Sequence, residues 1–200
     1  MNRKIWTLPL NQEFLRKHSP KSRGPADWGP VVADLMDTWN TVAAHGIAAP
    51  QIGVSRRIFI FRPYGDESSP PEAIINPKIL RAYGELKDFD GCLSVPQIYG
   101  RTRRAAVVEL TGLDIDGNHI RRTFEGFTAR IIQHEFDHLD GVLFIDRVDD
   151  WDDCYTVERY EATNEQGEEV EAHREVPLTA EHREALTQLK VPLPGHALVW

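Results

Sequence analysis

Cysteine is scarce in this 200-residue chain, with only Cys92 and Cys154 present. Two cysteines do not make a disulfide scaffold, so the fold must rest on its apolar core. No apolar run approaches the length of a membrane-spanning helix. Met1–Ser19 is basic but lacks the continuous apolar stretch of a signal peptide. These absences predict a cytoplasmic protein with no membrane partner. Internal repeats are missing as well. Residues 149–175 are short of cations, holding eleven Asp or Glu against two Arg, and the whole chain carries a net charge of −8. That segment is unsuited to phosphate recognition, and no direct nucleic-acid binding is expected. Apolar residues make up 41% of the chain, enough for the core of one enzyme-sized domain.

The richest segment is Gln133-His134-Glu135-Phe136-Asp137-His138. On a helix, His134 and His138 lie one turn apart on the same face and can grip one ion, with Glu135 beside them. Phe127, Ile131, His134 and His138 keep helical spacing, Ile132, Phe136 and Leu139 form a second apolar stripe, and Gly141 offers a C′ stop. The plain alternative is a buried helix carrying two satisfied histidines.

An open catalytic site needs a third protein ligand. Phe144 stands where the metzincin peptidases place a histidine, so that class loses its ligand here. A thermolysin-like site would draw on Glu158 or Glu161 downstream. Cys92, in the turn-like Asp90-Gly91-Cys92-Leu93-Ser94, offers a thiolate upstream. A Cys92–Cys154 bridge or a free buried thiol is the structural alternative for that cysteine.

A third segment, Gly46-Ile47-Ala48-Ala49-Pro50-Gln51, precedes a strand-like run at Arg57–Phe61. Together residues 44–51, 90–94 and 133–138 resemble the three motifs of the peptide deformylase family, in the same order, and the resemblance extends from about residue 5 to 148. Departures are Ala44 for a usual glycine, His45 at a usually aliphatic position and Asp90 for a usual glutamate. In the family that glutamate pairs with a downstream arginine, here Arg104 or its neighbours Arg101 and Arg103.

The resemblance implies Cys92, His134 and His138 as ligands of one divalent metal ion, favouring Fe(II) replaceable by Zn, Ni or Co. It implies attack of a metal-activated hydroxide on the formyl carbon of an N-formyl-methionyl peptide or nascent chain. Glu135 would be the general acid/base, and the Gln51 side-chain amide and Leu93 backbone N–H the oxyanion donors. His45, Gly46 and Ile47 would border the substrate, Gly46 through close backbone approach or simply as a helix C-cap. Some members dock on the ribosome through a C-terminal helix, a contact that an acidic segment opposes. A relative acting on another N-formylated compound is a further reading. A non-catalytic binding relative would not require Glu135, and a peptidase would leave the Cys92 and Gln51 motifs unexplained.

A helix is expected from Val31 to Ala44, opened by Pro30, with strands at Arg57–Phe61, Ala73–Leu80, Ala105–Leu113 and Ile120–Phe124. The expected class is α+β, with antiparallel sheets around a central metal-binding helix. Residues 1–148 read as the catalytic domain and 149–200 as an acidic C-terminal appendage packed on or extending from it. In the appendage, Tyr155–Ala162 and Glu168–Val176 can pair as a hairpin, and Thr179 can cap a helix reaching Lys190. A polar loop between Pro63 and Pro71 identifies no function.

Overall fold

The computed structural model describes residues 1–66, 68–164, 166 and 168–193. Its helices are α1 (Gln12–Leu15), α2 (Pro25–Trp39), α3 (Gly126–Leu139) and α4 (Ala180–Leu189). The strands are β1 (Gly46–Ala48), β2 (Ile58–Phe61), β3 (Glu72–Tyr83), β4 (Leu86–Cys92), β5 (Val95–Arg104), β6 (Val107–Leu113), β7 (His119–Glu125), β8 (Cys154–Thr163) and β9 (Glu169–Pro177). They form a sheet of order β1-β2-β3-β6-β7 and a second of order β4-β5-β8-β9. Every pairing is antiparallel among the described residues. The α+β class and the antiparallel sheets around the histidine-bearing helix are therefore as expected.

The run Ile58-Phe59-Ile60-Phe61 shows how the layers are set, because all four residues are buried. Alternate side chains point to opposite faces of a strand. Ile58 and Ile60 join Val32, Leu35 and Trp39 of α2, whereas Phe59 and Phe61 join Ile132, Phe136 and Leu139 of α3. A continuous apolar strand thus marks a sheet covered on both sides. A third cluster lies on the second sheet, where Val95, Ile98 and Cys154 meet Leu15, Leu143, Phe144 and Leu186. Phe144 is therefore a core residue.

Helix α2 starts six residues earlier and ends five earlier than Val31–Ala44. Pro25 occupies the first turn, where its missing N–H costs nothing, and Pro30 lies inside the helix. The early start is anchored by Trp28, which is buried and donates its Nε1–H to the Ile115 carbonyl at 3.0 Å. At the other end, the Thr41 backbone N–H and hydroxyl both bond the Thr38 carbonyl and close the helix. Ala105 is not in β6 as expected. Its N–H and C=O are both taken by the Gln133 side-chain amide, at 2.9 Å each, which leaves no backbone groups for a strand partner. Strands β4 and β5 were not anticipated, so Cys92 closes a strand and only Leu93-Ser94 turn.

Beyond residue 149, β8 pairs with β5 through Tyr99↔Tyr155 and Gly100↔Cys154, then with β9 along its length. The hairpin residues Glu165 and Gly167 lie outside the described residues. Thr179 caps α4 by accepting from the His182 N–H at 3.2 Å. Arg16 joins this region to the catalytic side, reaching the Leu189 carbonyl at 2.6 Å and pairing with Asp146. No described helix is long and apolar enough to cross a membrane.

Candidate metal centre

Helix α3 carries His134 and His138 one turn apart, with ring centroids 5.0 Å apart. Gly141 ends it in a left-handed conformation (φ +73°), and a Cβ there would lie 2.2 Å from the Arg16 carbonyl oxygen. Cys92 comes from the other sheet, at the end of β4. Its Sγ lies 3.3 Å from His138 Nε2, and the donor atoms of Cys92, His134 and His138 all fall within 4.8 Å of one another. Two polar atoms beside this cluster are buried with no partner among the described residues, Glu135 Oε2 and His138 Nδ1. One sulfur, two imidazoles and buried polar atoms awaiting partners fit a mononuclear divalent ion with room for water. Glu158 and Glu161, the rival carboxylates, sit exposed on β8, and Glu158 is paired with Arg174. Both cysteines are free.

Asp90 organises the site from below. Its Oδ1 accepts from His134 Nδ1 at 2.7 Å, which fixes the tautomer and leaves Nε2 for a ligand. Its Oδ2 takes Arg104 Nε at 2.9 Å and the Thr102 hydroxyl at 2.7 Å. Arg104 is thus the downstream partner, while Arg101 pairs with Glu175 and Arg103 with Glu85 and Asp149. Arg104 continues to Asp137 at 2.7 Å, and Arg147 grips the same carboxylate with two bonds of 2.6 Å. Arg130, 3.6 Å from Asp90, bonds instead to neutral oxygens of Thr102 and Leu86. Three guanidiniums and two carboxylates are thereby buried together.

These charges set the protonation states. Burial opposes ionisation of Asp90, but Arg104, His134 and Arg130 hold its carboxyl well below the usual range. Burial likewise resists the Cys92 thiolate, yet His138 and His134 bring the thiol down to about 5. For Glu135 burial wins over the nearby imidazoles, and the carboxyl is pushed up to about 7. Cys154, without such neighbours, is pushed the other way by burial, to about 11. A low thiol makes Cys92 the ligand-grade cysteine of the two.

Gln51 lies in a 3-10 turn after β1. Its Oε1 accepts from the Ala48 N–H at 2.9 Å, which turns Nε2 toward Cys92 Sγ (3.6 Å) and Ser94 Oγ (3.4 Å). The N-terminal segment straps this loop to the Cys92 loop, with Trp6 N–H on the Gln51 carbonyl and Leu8 N–H on that of Ser94. Gly46 is in β1, so it is not a helix cap. A Cβ on it would stand 2.3 Å from Glu135 Oε1, and this carboxylate is what requires the glycine. A cavity of about 380 Å³ opens beside the cluster, lined by His45, Gly46, Gln51, Leu93, Tyr99 and Glu135 among others. Ile47 is fully buried in the α2-facing core, so only its backbone is available to a ligand. Sequence reasoning missed Arg130, Asp137, Arg147 and the cavity wall from β5. Arg130 and Asp137 share helical spacing with His134, and Asp137 also stands inside the 133–138 motif.

A buried carboxyl beside converging thiol and imidazole donors, in a cleft open to solvent, fits a metal-dependent hydrolase. The family model of polypeptide deformylase matches residues 4–153. A peptide deformylase of Thermomicrobium roseum is 45% identical over 125 residues, covering 60% of this chain and 71% of its own. The crystal structure of a peptide deformylase from Legionella pneumophila superposes with TM-score 0.68 at 37% identity, covering 74% of this chain and 86% of that one. A Met-Ala-Ser-bound peptide deformylase from Acinetobacter baumannii gives TM-score 0.66 at 29% identity, over 74% and 99% of the chains. The chain belongs to the polypeptide deformylase family, metal-dependent enzymes that remove the N-formyl group from nascent peptides.

Proposed function

We propose that Cys92, His134 and His138 hold the metal of this deformylase and that Glu135 moves the proton. The observation that carries this reading is Glu135 itself: a buried carboxyl with one unpartnered oxygen, raised to about 7, between two converging imidazoles. A general base works best with a pKa near the working pH. When bound, a divalent ion supplies Lewis acidity, polarising the formyl oxygen and lowering the pKa of a water toward ~7. The ion is Fe(II), with Zn, Ni or Co able to replace it, since one thiolate and two imidazoles suit all four.

Glu135 takes a proton from the attacking water and returns it to the peptide nitrogen as the C–N bond breaks, releasing formate and a free amine. The Gln51 Nε2–H and the Leu93 backbone N–H receive the developing negative charge on the formyl oxygen, and each such donor contributes about 3 to 4 kcal/mol of transition-state stabilisation. The orientation of the Gln51 amide, locked by the Ala48 N–H, supports that role. His45, Gly46 and the backbone of Ile47 border the extended peptide, whose first side chain enters the cavity.

Residues 1–148 are the catalytic unit and 149–200 an appendage on the second sheet, a division supported by the acidic, largely exposed ribbon of β8 and β9. The substrate is a nascent chain in the cytoplasm. The acidic ribbon disfavours docking of this segment on ribosomal RNA. Formate release from a short N-formyl-methionyl peptide by anaerobically purified protein with Fe(II) or Ni tests the reading, with Glu135→Gln alongside. Turnover by wild type and none by a metal-loaded mutant is expected. Near-normal turnover by that mutant would remove Glu135 from the chemistry.

A further inference from the structure

Asp90 has one support that is neither a cation nor a backbone group, a hydroxyl standing where a direct ion pair falls short. On β4 and β5, Asp90 lies opposite Gly100, and Thr102 is the next inward residue along β5. The Thr102 hydroxyl donates to Asp90 Oδ2 at 2.7 Å and accepts from the Arg130 guanidinium at 2.8 Å. The guanidinium itself stops 3.6 Å from that carboxylate oxygen, too far for a hydrogen bond. Arg130 is held back there, because its other terminal nitrogen bonds the Thr102 and Leu86 carbonyls at 2.7 and 2.8 Å. Thr102 and Arg130 are 1% and 2% exposed, out of reach of bulk solvent.

A group that donates and accepts at once can stand between a guanidinium and a carboxylate in this way. The other carboxylate oxygen, Oδ1, takes His134 Nδ1 at 2.7 Å. The contacts form one run of hydrogen bonds, from Arg130 through Thr102 and Asp90 to the imidazole. Arg104 also bonds Oδ2, so two donors fix the rotation of the carboxylate. Without the hydroxyl, Arg130 keeps its charge and loses an acceptor. The carboxylate is then drawn toward it across the gap, and as Oδ2 turns, Oδ1 leaves His134.

We propose that Thr102 is a positioning residue for the metal centre: its hydroxyl spaces Arg130 from Asp90 and keeps the carboxylate turned to His134 Nδ1. The inference rests on the metal-centre reading above. It also accounts for the length of Asp90. One further methylene, about 1.5 Å of reach, would carry the carboxylate into the place of the hydroxyl. The short acid and the hydroxyl are thus a matched pair, and a longer acid needs a smaller residue at position 102.

The test measures Co(II) binding to metal-free protein by competition with a chelator. Wild type is compared with Thr102→Ala, Thr102→Ser, Asp90→Glu and the Thr102→Ala/Asp90→Glu double variant. The control is Thr111→Ala, which removes a hydroxyl from the Ile120 carbonyl on the first sheet. Urea unfolding of the same metal-free proteins is followed alongside. Thr102→Ala should weaken Co(II) binding about 10-fold, the scale of an outer hydrogen-bond partner of a ligating histidine, while Thr102→Ser stays within about threefold of wild type. Thr111→Ala should lower stability and leave Co(II) affinity alone, which separates positioning from general weakening of the fold. Asp90→Glu alone should also bind about 10-fold more weakly. The double variant should return to within about threefold of wild type, because the glutamate then meets Arg130 directly and the two changes are not additive. Wild-type affinity in Thr102→Ala, a serine variant as weak as the alanine one, or a double variant as weak as the product of the singles overturns the pairing. Failure of the wild type itself to bind one Co(II) overturns the metal reading beneath it.

Discussion

Gly46→Ala isolates one contact on which the chemistry depends. Gly46 does not adopt a left-handed conformation, so alanine suits its backbone and the whole effect comes from crowding. The added Cβ would stand 2.3 Å from Glu135 Oε1 and 2.6 Å from both Cδ and Cγ, where ordinary contact begins at 3.4 Å. Three atoms of the same side chain are too close, so a twist of the carboxylate alone cannot relieve the clash. Glu135 is 3% exposed, and the space it can move into is the cavity it lines, away from its place beside the imidazoles. The carboxylate must therefore shift by about 1 Å, a misplacement that costs about 100-fold in rate. Overpacking adds about 1 to 3 kcal/mol of destabilisation. The assay is formate release under kcat/KM conditions, with metal content and urea unfolding measured on the same preparation. A fall of about two orders of magnitude with metal retained is expected. Activity within twofold of wild type would refute the reasoning, since it would mean that the position of Glu135 does not matter.

Asp90→Asn removes the acceptor of His134 Nδ1 and one of two carboxylates facing three buried guanidiniums. Metal affinity should fall about 10- to 100-fold by competition with a chelator, and stability by about 3 to 5 kcal/mol in urea. Cys92→Ser should lose metal on purification while Cys154→Ser retains it; equal metal content would move the third ligand elsewhere. Glu135→Gln gives a pH signature in the metal-free protein. Because the folded carboxyl is raised to about 7, the native state holds its proton more tightly than the unfolded chain, so stability is greatest below about 4.5 and is lost as pH rises through about 7. The glutamine variant escapes this loss and should be more stable at pH 8, on the order of 3 kcal/mol, with the two proteins converging near pH 4.5. Thermal unfolding across that range would show it, and a constant difference would contradict burial as the cause.

The histidine helix was legible because its side chains repeat at helical spacing and Gly141 closes it. The strands at 58–61 and 119–125 were legible from apolar residues and a turn. Strands β4 and β5 were hidden because much of their inward face is polar, beyond Val95 and Ile98. Alternation along Arg101-Thr102-Arg103-Arg104 buries Thr102 and Arg104 while Arg101 and Arg103 reach solvent. Asp90 is equally poor strand material on its own, and becomes acceptable only once Arg104, Arg130 and His134 surround it. Pattern reading sees hydrophobicity, and here the buried pattern is charge complementarity between distant segments. The motifs named candidate residues one by one, whereas Arg147, which grips Asp137 and helps hold the helix to the second sheet, carried no local sign.

Residues 6–16 touch both ends of the assembly. Trp6 and Leu8 clamp the Gln51 and Ser94 loops, and Arg16 bonds the Leu189 carbonyl across 173 residues of sequence. During synthesis these residues leave the ribosome before their partners, which arrive in turn, the last of them at the end of α4. Contacts so distant in sequence form late in folding. The enzyme that works on the opening residue of other chains therefore has the partners of Trp6 and Leu8 once residue 94 has emerged, but seats Arg16 on the Leu189 carbonyl only when α4 is complete.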